Sequence, residues 1–130
     1  MPTAEKMRET LVLYLQRVAE HDAEAVLALF ADTISVEDPV GGAPGTHIRG
    51  HEAVGQFFRE GFSRTQPVPT LVGPIRTTLG NEAAMAFTLR LEFGEETREI
   101  DVIDVVSFDA AGKITRLRAF WNPEEIRLAN

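Results

Sequence analysis

Two aspartates are the residues best suited to acid–base chemistry, because each interrupts an apolar pattern. On the predicted strand Thr33 to Asp38, side chains alternate between two faces, and Asp38 shares its face with aliphatic residues. On the predicted strand Thr97 to Phe108, the same alternation places Asp104 in the middle of an apolar face and Asp101 on the opposite one. A buried carboxylate is destabilising by several kcal/mol unless it is paired or neutral. Asp38 and Asp104 are therefore candidate catalytic acids or bases.

A tyrosine on a predicted helix is the third candidate. The helix is indicated by apolar side chains at spacings of three and four residues, which form one stripe: Met7, Leu11, Tyr14, Leu15 and Val18. Two of the candidates also have a purely structural explanation, since Tyr14 could be a core residue and Asp38 could end a strand before Pro39. Asp104 is harder to explain in this way, because both of its neighbours on that face are valines.

These candidates would be positioned by helices in the first half of the chain. Asp22 can cap a second helix, whose inward residues would be Val26, Leu29 and Phe30. The strand that carries Asp38 runs into a glycine-rich loop at Gly41 to Gly45. A third helix fits the segment His51 to Phe62, which has apolar residues at helical spacing.

The second half of the chain has the period-two alternation of half-buried strands. Strands are predicted at Ala84 to Phe93, Thr97 to Phe108 and Lys113 to Trp121. The segment Pro67 to Leu79 predicts a strand that is interrupted at Gly73-Pro74. Helices followed by antiparallel strands indicate one α+β domain over residues 1–130. A sheet curved around three helices would leave an apolar pocket between the two layers.

Composition excludes several classes of function. The 130 residues contain no Cys, which rules out disulfides, thiol catalysis and zinc–thiolate sites. The net charge of −7 argues against nucleic acid as a partner. No apolar stretch approaches the roughly 20 residues needed to cross a bilayer. No signal peptide is evident at the N-terminus, so we expect a cytoplasmic protein that does not associate with membranes.

Familiar cofactor and nucleophile motifs are missing. His47 and His51 are four residues apart, but Gly50 between them argues against a helical metal site. The glycine-rich loop lacks the Gly-Lys-Ser/Thr ending of a phosphate loop. No Gly-x-Ser-x-Gly motif of a serine hydrolase is present. We therefore expect no metal and no organic cofactor.

Three runs of residues resemble the bacterial Δ5-3-ketosteroid isomerases. They are Val36-Glu37-Asp38-Pro39-Val40-Gly41, Val102-Ile103-Asp104-Val105 and Arg118-Ala119-Phe120-Trp121. The resemblance extends over nearly the whole chain in order and spacing. It implies a cone formed by a highly curved, mixed or antiparallel sheet wrapped by helices, in the superfamily of nuclear transport factor and SnoaL-like cyclases. It also implies a homodimer.

The resemblance assigns roles to the three candidates. By position, Asp38 would be the general base, Tyr14 the oxyanion-hole tyrosine and Asp104 the protonated oxyanion-hole acid, an arrangement known from the ketosteroid isomerases themselves. The substrate would be a small, apolar, steroid-like ketone. The residues expected to form the substrate-binding wall are Val18, Phe58, Met85, Phe87, Val102, Ala119 and Trp121.

Two departures from the family pattern are visible. Related enzymes often support the oxyanion tyrosine with further tyrosines, but Phe30 and Phe58 stand at the matching positions, and Tyr14 is the only tyrosine of the chain. The loop from Gly41 to Gly50 is also slightly longer than usual. Both departures bear on the rate and the substrate range more than on the type of reaction.

The expected reaction is an allylic isomerisation without a cofactor. Asp38 would move a proton from carbon 4 to carbon 6 of a 3-oxo-Δ5-steroid, while Tyr14 and Asp104 donate hydrogen bonds to the dienolate oxygen. Two other functions stay open. A SnoaL-like cyclase or a limonene-type epoxide hydrolase could share the fold, although the epoxide enzymes need an Asp–Arg–Asp arrangement, for which the last strand offers only Arg116 and Arg118. A non-catalytic domain could instead bind a steroid-like ligand unchanged.

Overall fold

The computed structural model describes residues 1–43 and 46–129. The three helices are α1 (Ala4–Ala19), α2 (Ala23–Leu27) and α3 (His51–Thr65). The strands are β1 (Phe30–Glu37), β2 (His47–Arg49), β3 (Val68–Leu71), β4 (Arg76–Thr77), β5 (Glu82–Phe93), β6 (Glu96–Phe108), β7 (Ile114–Phe120) and β8 (Arg127–Leu128). A 3-10 turn at Pro123–Glu125 precedes β8. No helix in the described ranges has the length and apolar character required to cross a bilayer.

The strands form one mixed sheet that does not close into a barrel. Its main order is β2-β1-β7-β6-β5-β3, with β4 also paired to β5 and β8 to β6. Strands β1 and β7 run parallel, and the other pairs are antiparallel. Helices α1 and α3 pack against the inner face of this curved sheet. The predicted α+β cone is thereby confirmed.

The junction between α2 and β1 differs from the prediction. Asp22 caps α2 as expected, because its carboxylate accepts a hydrogen bond of 3.1 Å from the N–H of Ala25. The helix ends at Leu27, however, and Phe30 is the first residue of β1 rather than a helical residue. Pairing with β7 decides this, since Phe30 lies opposite Ile114 in the parallel ladder. Phe30 remains buried in the core, as the apolar pattern requires.

Two further segments refine the predicted connections. The stretch Gly41 to Gly50 was expected to be a loop, and residues 44 and 45 lie outside the described part. His47–Arg49 nevertheless forms the short strand β2, because Val36 of β1 pairs with Ile48. The predicted interruption near Gly73 is confirmed, since the segment divides into β3 and β4.

Strand β6 has the predicted alternation of faces. Its buried residues are Ile100, Val102, Asp104, Val106 and Phe108. Asp101 and Ile103 between them are exposed. The period-two pattern thus correctly predicts that Asp104 points inward and Asp101 outward.

Candidate active site

A cavity of about 360 Å³ lies between the helices and the inner face of the sheet. Tyr14 from α1, Asp38 from the end of β1 and Asp104 from β6 all contribute to its wall. Most of the remaining wall is apolar. The volume is within the ~300–1,000 Å³ typical of small-molecule sites. The three side chains singled out in the sequence therefore meet in one cavity.

The cavity wall includes most of the expected substrate contacts. The residues found there as predicted are Val18, Phe58, Phe87, Val102, Ala119 and Trp121. Met85 is different, because it lies outside the wall and is only 2% exposed. It lies opposite Asp104 of the neighbouring strand β6. On β5 it is two residues before Phe87 and shares its face. Exposure then rises along the inner face of β5 to 42% at Phe93, so Met85 belongs to the buried core next to the cavity.

The open half of the cavity was not foreseen. Its wall comes from the last turns of α3, the following segment and the far half of β5, and it includes Phe57, Gly61, Arg64, Thr65, Pro67, Pro69, Leu89, Leu91 and Phe93. A signal was present in the sequence. Phe57, Gly61 and Arg64 are spaced by four and three residues on one helix face, and the β5 residues alternate with period two.

Backbone and side-chain hydrogen bonds position Asp38 where β1 ends. Its N–H donates to the carbonyl of Thr46 at 2.9 Å, and the N–H of Val40 donates to the carbonyl of Ala119 at 2.9 Å. The indole Nε1 of Trp121 donates to Oδ1 of Asp38 at 2.6 Å. We expected Trp121 only as part of the wall, because a hydrogen bond between residues 83 positions apart leaves no local signal in a sequence.

Burial dominates the protonation of Asp38. Removal from water raises the pKa of its carboxyl to about 6, although the hydrogen bond from Trp121 favours the charged form and acts in the opposite direction. Asp38 is therefore mainly ionised at pH 7, and its affinity for a proton is higher than that of an ordinary aspartate. That combination suits a general base.

Asp104 is an inward-facing carboxyl in a different environment. It is 2% exposed, and its Oδ1 has no hydrogen-bond partner in the described part of the chain. Burial, and then the negative charge of Asp38, raise the pKa of Asp104 well above its usual value. The neutral carboxylic acid is therefore favoured over the carboxylate, and in that form the group can donate a hydrogen bond to a ligand in the cavity.

Tyr14 packs against aromatic rings, and no hydroxyl in the described part of the chain forms a hydrogen bond with it. Its ring centroid lies 6.1 Å from that of Phe30 and 6.4 Å from that of Phe58, in an edge-to-face arrangement with the latter. Burial, followed by the charges of Asp104 and Asp38, raises the pKa of Tyr14 well above its usual value. The phenol stays protonated at neutral pH and is a second donor beside Asp104.

The two arginines of β7, Arg116 and Arg118, do not face this cavity. Both lie on the outer side of the sheet beside Glu37, with Arg118 Nε at 3.0 Å and an Arg116 terminal nitrogen at 3.5 Å from Oε1 of that residue.

The two histidines near the loop have separate partners. His47 contacts the hydroxyl of Ser35 at 2.8 Å, and His51 contacts the carbonyl of Leu27 at 2.9 Å.

Comparisons with known proteins identify the family of this chain. Residues 12–117 match the SnoaL-like domain family. Over 121 residues the chain is 33% identical to the Steroid Delta-isomerase of Nocardioides simplex, which covers 93% of this chain and 94% of that protein.

Two solved structures are similar over almost their whole length. RV0760c of Mycobacterium tuberculosis in complex with estradiol-17β-hemisuccinate has a TM-score of 0.85 and 29% identity, over 93% of this chain and 97% of that chain. The epoxide hydrolase/cyclase-like enzyme SalBIII, which has a role in pyran ring formation in salinomycin, has a TM-score of 0.88 and 23% identity. That alignment covers 99% of this chain and 100% of the other, and it shows a shared fold.

Proposed function

The chain belongs to the SnoaL-like family, and we propose that within it the protein is a steroid delta-isomerase acting on 3-oxo-Δ5-steroids. The observation that carries this proposal is the contrast between the two carboxyls in one apolar cavity. Asp38 accepts the indole N–H of Trp121, and burial raises its pKa to about 6, whereas Oδ1 of Asp104 has no partner in the described part of the chain, and burial and then the charge of Asp38 raise its pKa well above its usual value. One group is ready to accept a proton at pH 7, and the other to donate a hydrogen bond.

The reaction uses Asp38 twice. Its carboxylate removes a proton from carbon 4, the electron pair of the C–H bond forms a double bond between carbons 3 and 4, and the carbonyl pair moves onto the oxygen to give a dienolate. Asp38 then returns the same proton to carbon 6, which leaves the conjugated Δ4 ketone and restores the carboxylate. Because Oδ1 already accepts the indole N–H of Trp121, Oδ2 is the oxygen left to carry the proton. No proton is gained or lost overall.

Tyr14 and Asp104 stabilise the charge that develops on the oxygen of carbon 3. Both donate in their neutral forms, which their raised pKa values favour. Donors in a cavity shielded from water stabilise an oxyanion more than water does, since they need no reorganisation during the reaction. The free Oδ1 of Asp104 is consistent with this role, because a buried polar atom without a partner lowers stability in the absence of a ligand.

The relatives support a steroid as the substrate. The N. simplex relative is a steroid delta-isomerase, and the M. tuberculosis protein binds an estradiol ester. The apolar middle of the cavity, formed by residues such as Phe87, Val102 and Leu117, suits a flat hydrocarbon skeleton. The outward direction of Arg116 and Arg118 argues against the Asp–Arg–Asp site of an epoxide hydrolase.

A direct assay tests the proposal. The protein is incubated with 5-androstene-3,17-dione, and the absorbance of the conjugated enone is followed against the spontaneous reaction. We expect turnover that is lost in Asp38→Asn and retained in the exposed control Asp101→Asn. Recovery of the bound steroid unchanged would instead identify a non-catalytic binding domain, which is the second candidate because the M. tuberculosis relative also forms a steroid complex.

We also propose that the protein is a homodimer that associates through the outer face of the sheet. Ile103 and Phe120 are direct neighbours on β6 and β7, and they are 49% and 41% exposed. Val72, whose N–H donates to the carbonyl of Ala86, extends this apolar area at the edge and is 55% exposed. Sedimentation equilibrium of the wild type and of Ile103→Glu tests the proposal, and a monomeric wild type would overturn it.

A further inference from the structure

The cavity wall carries a cation at the end opposite the catalytic groups. Among the described residues of the wall, Arg64 is the only Lys or Arg, and Asp38 and Asp104 are the only carboxylates. Arg64 lies in the last turn of α3 and is exposed at the rim. The wall residues between these ends are almost all apolar. The cavity is therefore polar at both ends and has opposite charges there.

The two ends are separated along both elements that form the long sides of the cavity. On α3, Phe58 packs against Tyr14 at the catalytic end, and Arg64 lies six residues further on, or about 9 Å along the helix axis. On β5, Phe93 lies six residues beyond Phe87, or roughly 20 Å along the strand. A fused-ring ligand whose oxygen contacts Tyr14 would thus direct its other end toward Arg64.

Arg64 has no carboxylate partner among the described residues, 1–43 and 46–129. Arg98 near the same rim is different, because it donates to Glu96 at 2.8 Å and lies 5.8 Å from the ring centre of Phe93. Arg64 is therefore the guanidinium left free to bind oxygen atoms of a ligand.

We propose that Arg64 binds an anionic group at the far end of the ligand. The substrate class is then steroid ketones that carry a carboxylate or a sulfate ester on the ring opposite the reacting ketone. This inference rests on the proposed function for the orientation of the ligand. A guanidinium suits both groups, because its planar N–H donors form paired, charge-assisted hydrogen bonds with such oxygens. A steroid without the anion would still fit, but it would leave Arg64 without a partner.

A structural role for Arg64 must be distinguished from this one. A basic residue in the last turn of a helix interacts favourably with the helix dipole, and Arg64 has that position on α3. Loss of a dipole interaction would lower the melting temperature and affect all ligands alike. Loss of an anion-binding group would change the affinity for anionic ligands more than that for neutral ones.

The test compares the affinities of steroids that differ only in the group at carbon 17. Dissociation constants for estradiol, estradiol-17β-hemisuccinate and estradiol 17-sulfate are measured by calorimetry at pH 7.5 for the wild type, Arg64→Gln and Arg90→Gln. Arg90 is the matched control, since it is an exposed arginine of β5 outside the cavity wall. We expect the wild type to prefer the anionic esters by about 3- to 10-fold, and Arg64→Gln to lose that preference. Arg90→Gln should retain it, and added salt should reduce it.

The outcomes separate this inference from the proposed function. Equal binding of the three ligands by the wild type, or a preference that survives in Arg64→Gln, would overturn the role of Arg64. A loss of preference in Arg90→Gln as well would overturn it too, because net charge alone would then explain the effect. A preference for one ester only would decide between carboxylate and sulfate. If the preference is found but 5-androstene-3,17-dione is not isomerised, the anion site stands and the isomerase proposal fails.

Discussion

Carboxylate side chains have opposite environments on the inner and outer faces of the sheet. Glu37 and Asp38 are consecutive residues, and Asp101 and Asp104 are three apart on one strand. The outer member of each pair contacts an arginine, as in the bidentate contact of Arg127 with Asp101 at 3.1 and 3.2 Å. Within residues 1–43 and 46–129, the inner members Asp38 and Asp104 contact no arginine.

The direction of each carboxyl's pKa shift depends on the face of the sheet on which the group lies. On the outer side, the hydrogen bond from Arg127 lowers the pKa of Asp101, and Arg118 lowers that of Glu37 although burial acts to raise it. On the inner side, burial raises the pKa of both aspartates. The pleat of the strand thus decides whether a carboxylate is an ordinary surface charge or a group suited to proton transfer.

The largest expected effect is the loss of kcat on substitution of Asp38, compared with its neighbour Glu37 at the end of β1. Asp38→Asn should lower kcat by about 10²–10⁴, because an amide cannot accept the substrate proton. Glu37→Gln is the matched control, since it makes the same change one residue away on the outer face. Steady-state kinetics with 5-androstene-3,17-dione measure both variants. Near wild-type turnover in Asp38→Asn would remove this residue from the mechanism.

The second largest effect is expected for kcat on substitution of Asp104, compared with Asp101 on the same strand. Asp104→Leu should lower kcat by about 10²–10³, as for other oxyanion donors, while stability is unchanged or improved because an unsatisfied buried atom is removed. Asp104→Asn should be milder, since an amide still donates a hydrogen bond. Turnover and melting temperature are compared with those of Asp101→Asn. If Asp101→Asn were the damaging change, the faces of β6 would be assigned incorrectly.

The pH dependence of kcat/KM sharpens the comparison on the inner face. We expect a plateau at neutral pH and a fall in acid with an apparent pKa of about 6, because only the ionised form of Asp38 is a base. Trp121→Phe removes a hydrogen bond that favours the ionised form. The acid limb should therefore move to higher pH, by about one unit or less. A limb that does not move would show that the indole N–H has no influence on the base.

The smallest expected effect is on stability. The pKa of Asp38 is higher in the folded than in the unfolded chain, so the folded state binds the proton more tightly, and stability falls as the pH rises from about 4 to about 6. Asp38→Asn should remove this loss and raise the free energy of unfolding at pH 8 by roughly 1–3 kcal/mol relative to the wild type. Urea titrations at pH 4 and pH 8 test this, and a gain at pH 4 equal to that at pH 8 would contradict it.

Local pattern in the sequence determined the elements and the direction of the key side chains. The helical spacing around Tyr14 and the alternation around Asp104 are properties of neighbouring residues, and the structure confirms the resulting buried positions. The fold class followed from the order of helices and strands. The junction at Phe30 was predicted incorrectly, because pairing with a strand more than 80 residues away ends α2.

Only the tertiary structure decided which side chains meet. The hydrogen bond from Trp121 to Asp38, the burial of Met85 next to the cavity and the position of Arg64 at its rim each depend on elements that are distant in the chain. The pKa values depend on the same packing, since desolvation is set by everything that surrounds a group and not by its neighbours in sequence. The sequence therefore indicated which residues could act, and the packing of helices on the curved sheet decided how they act together.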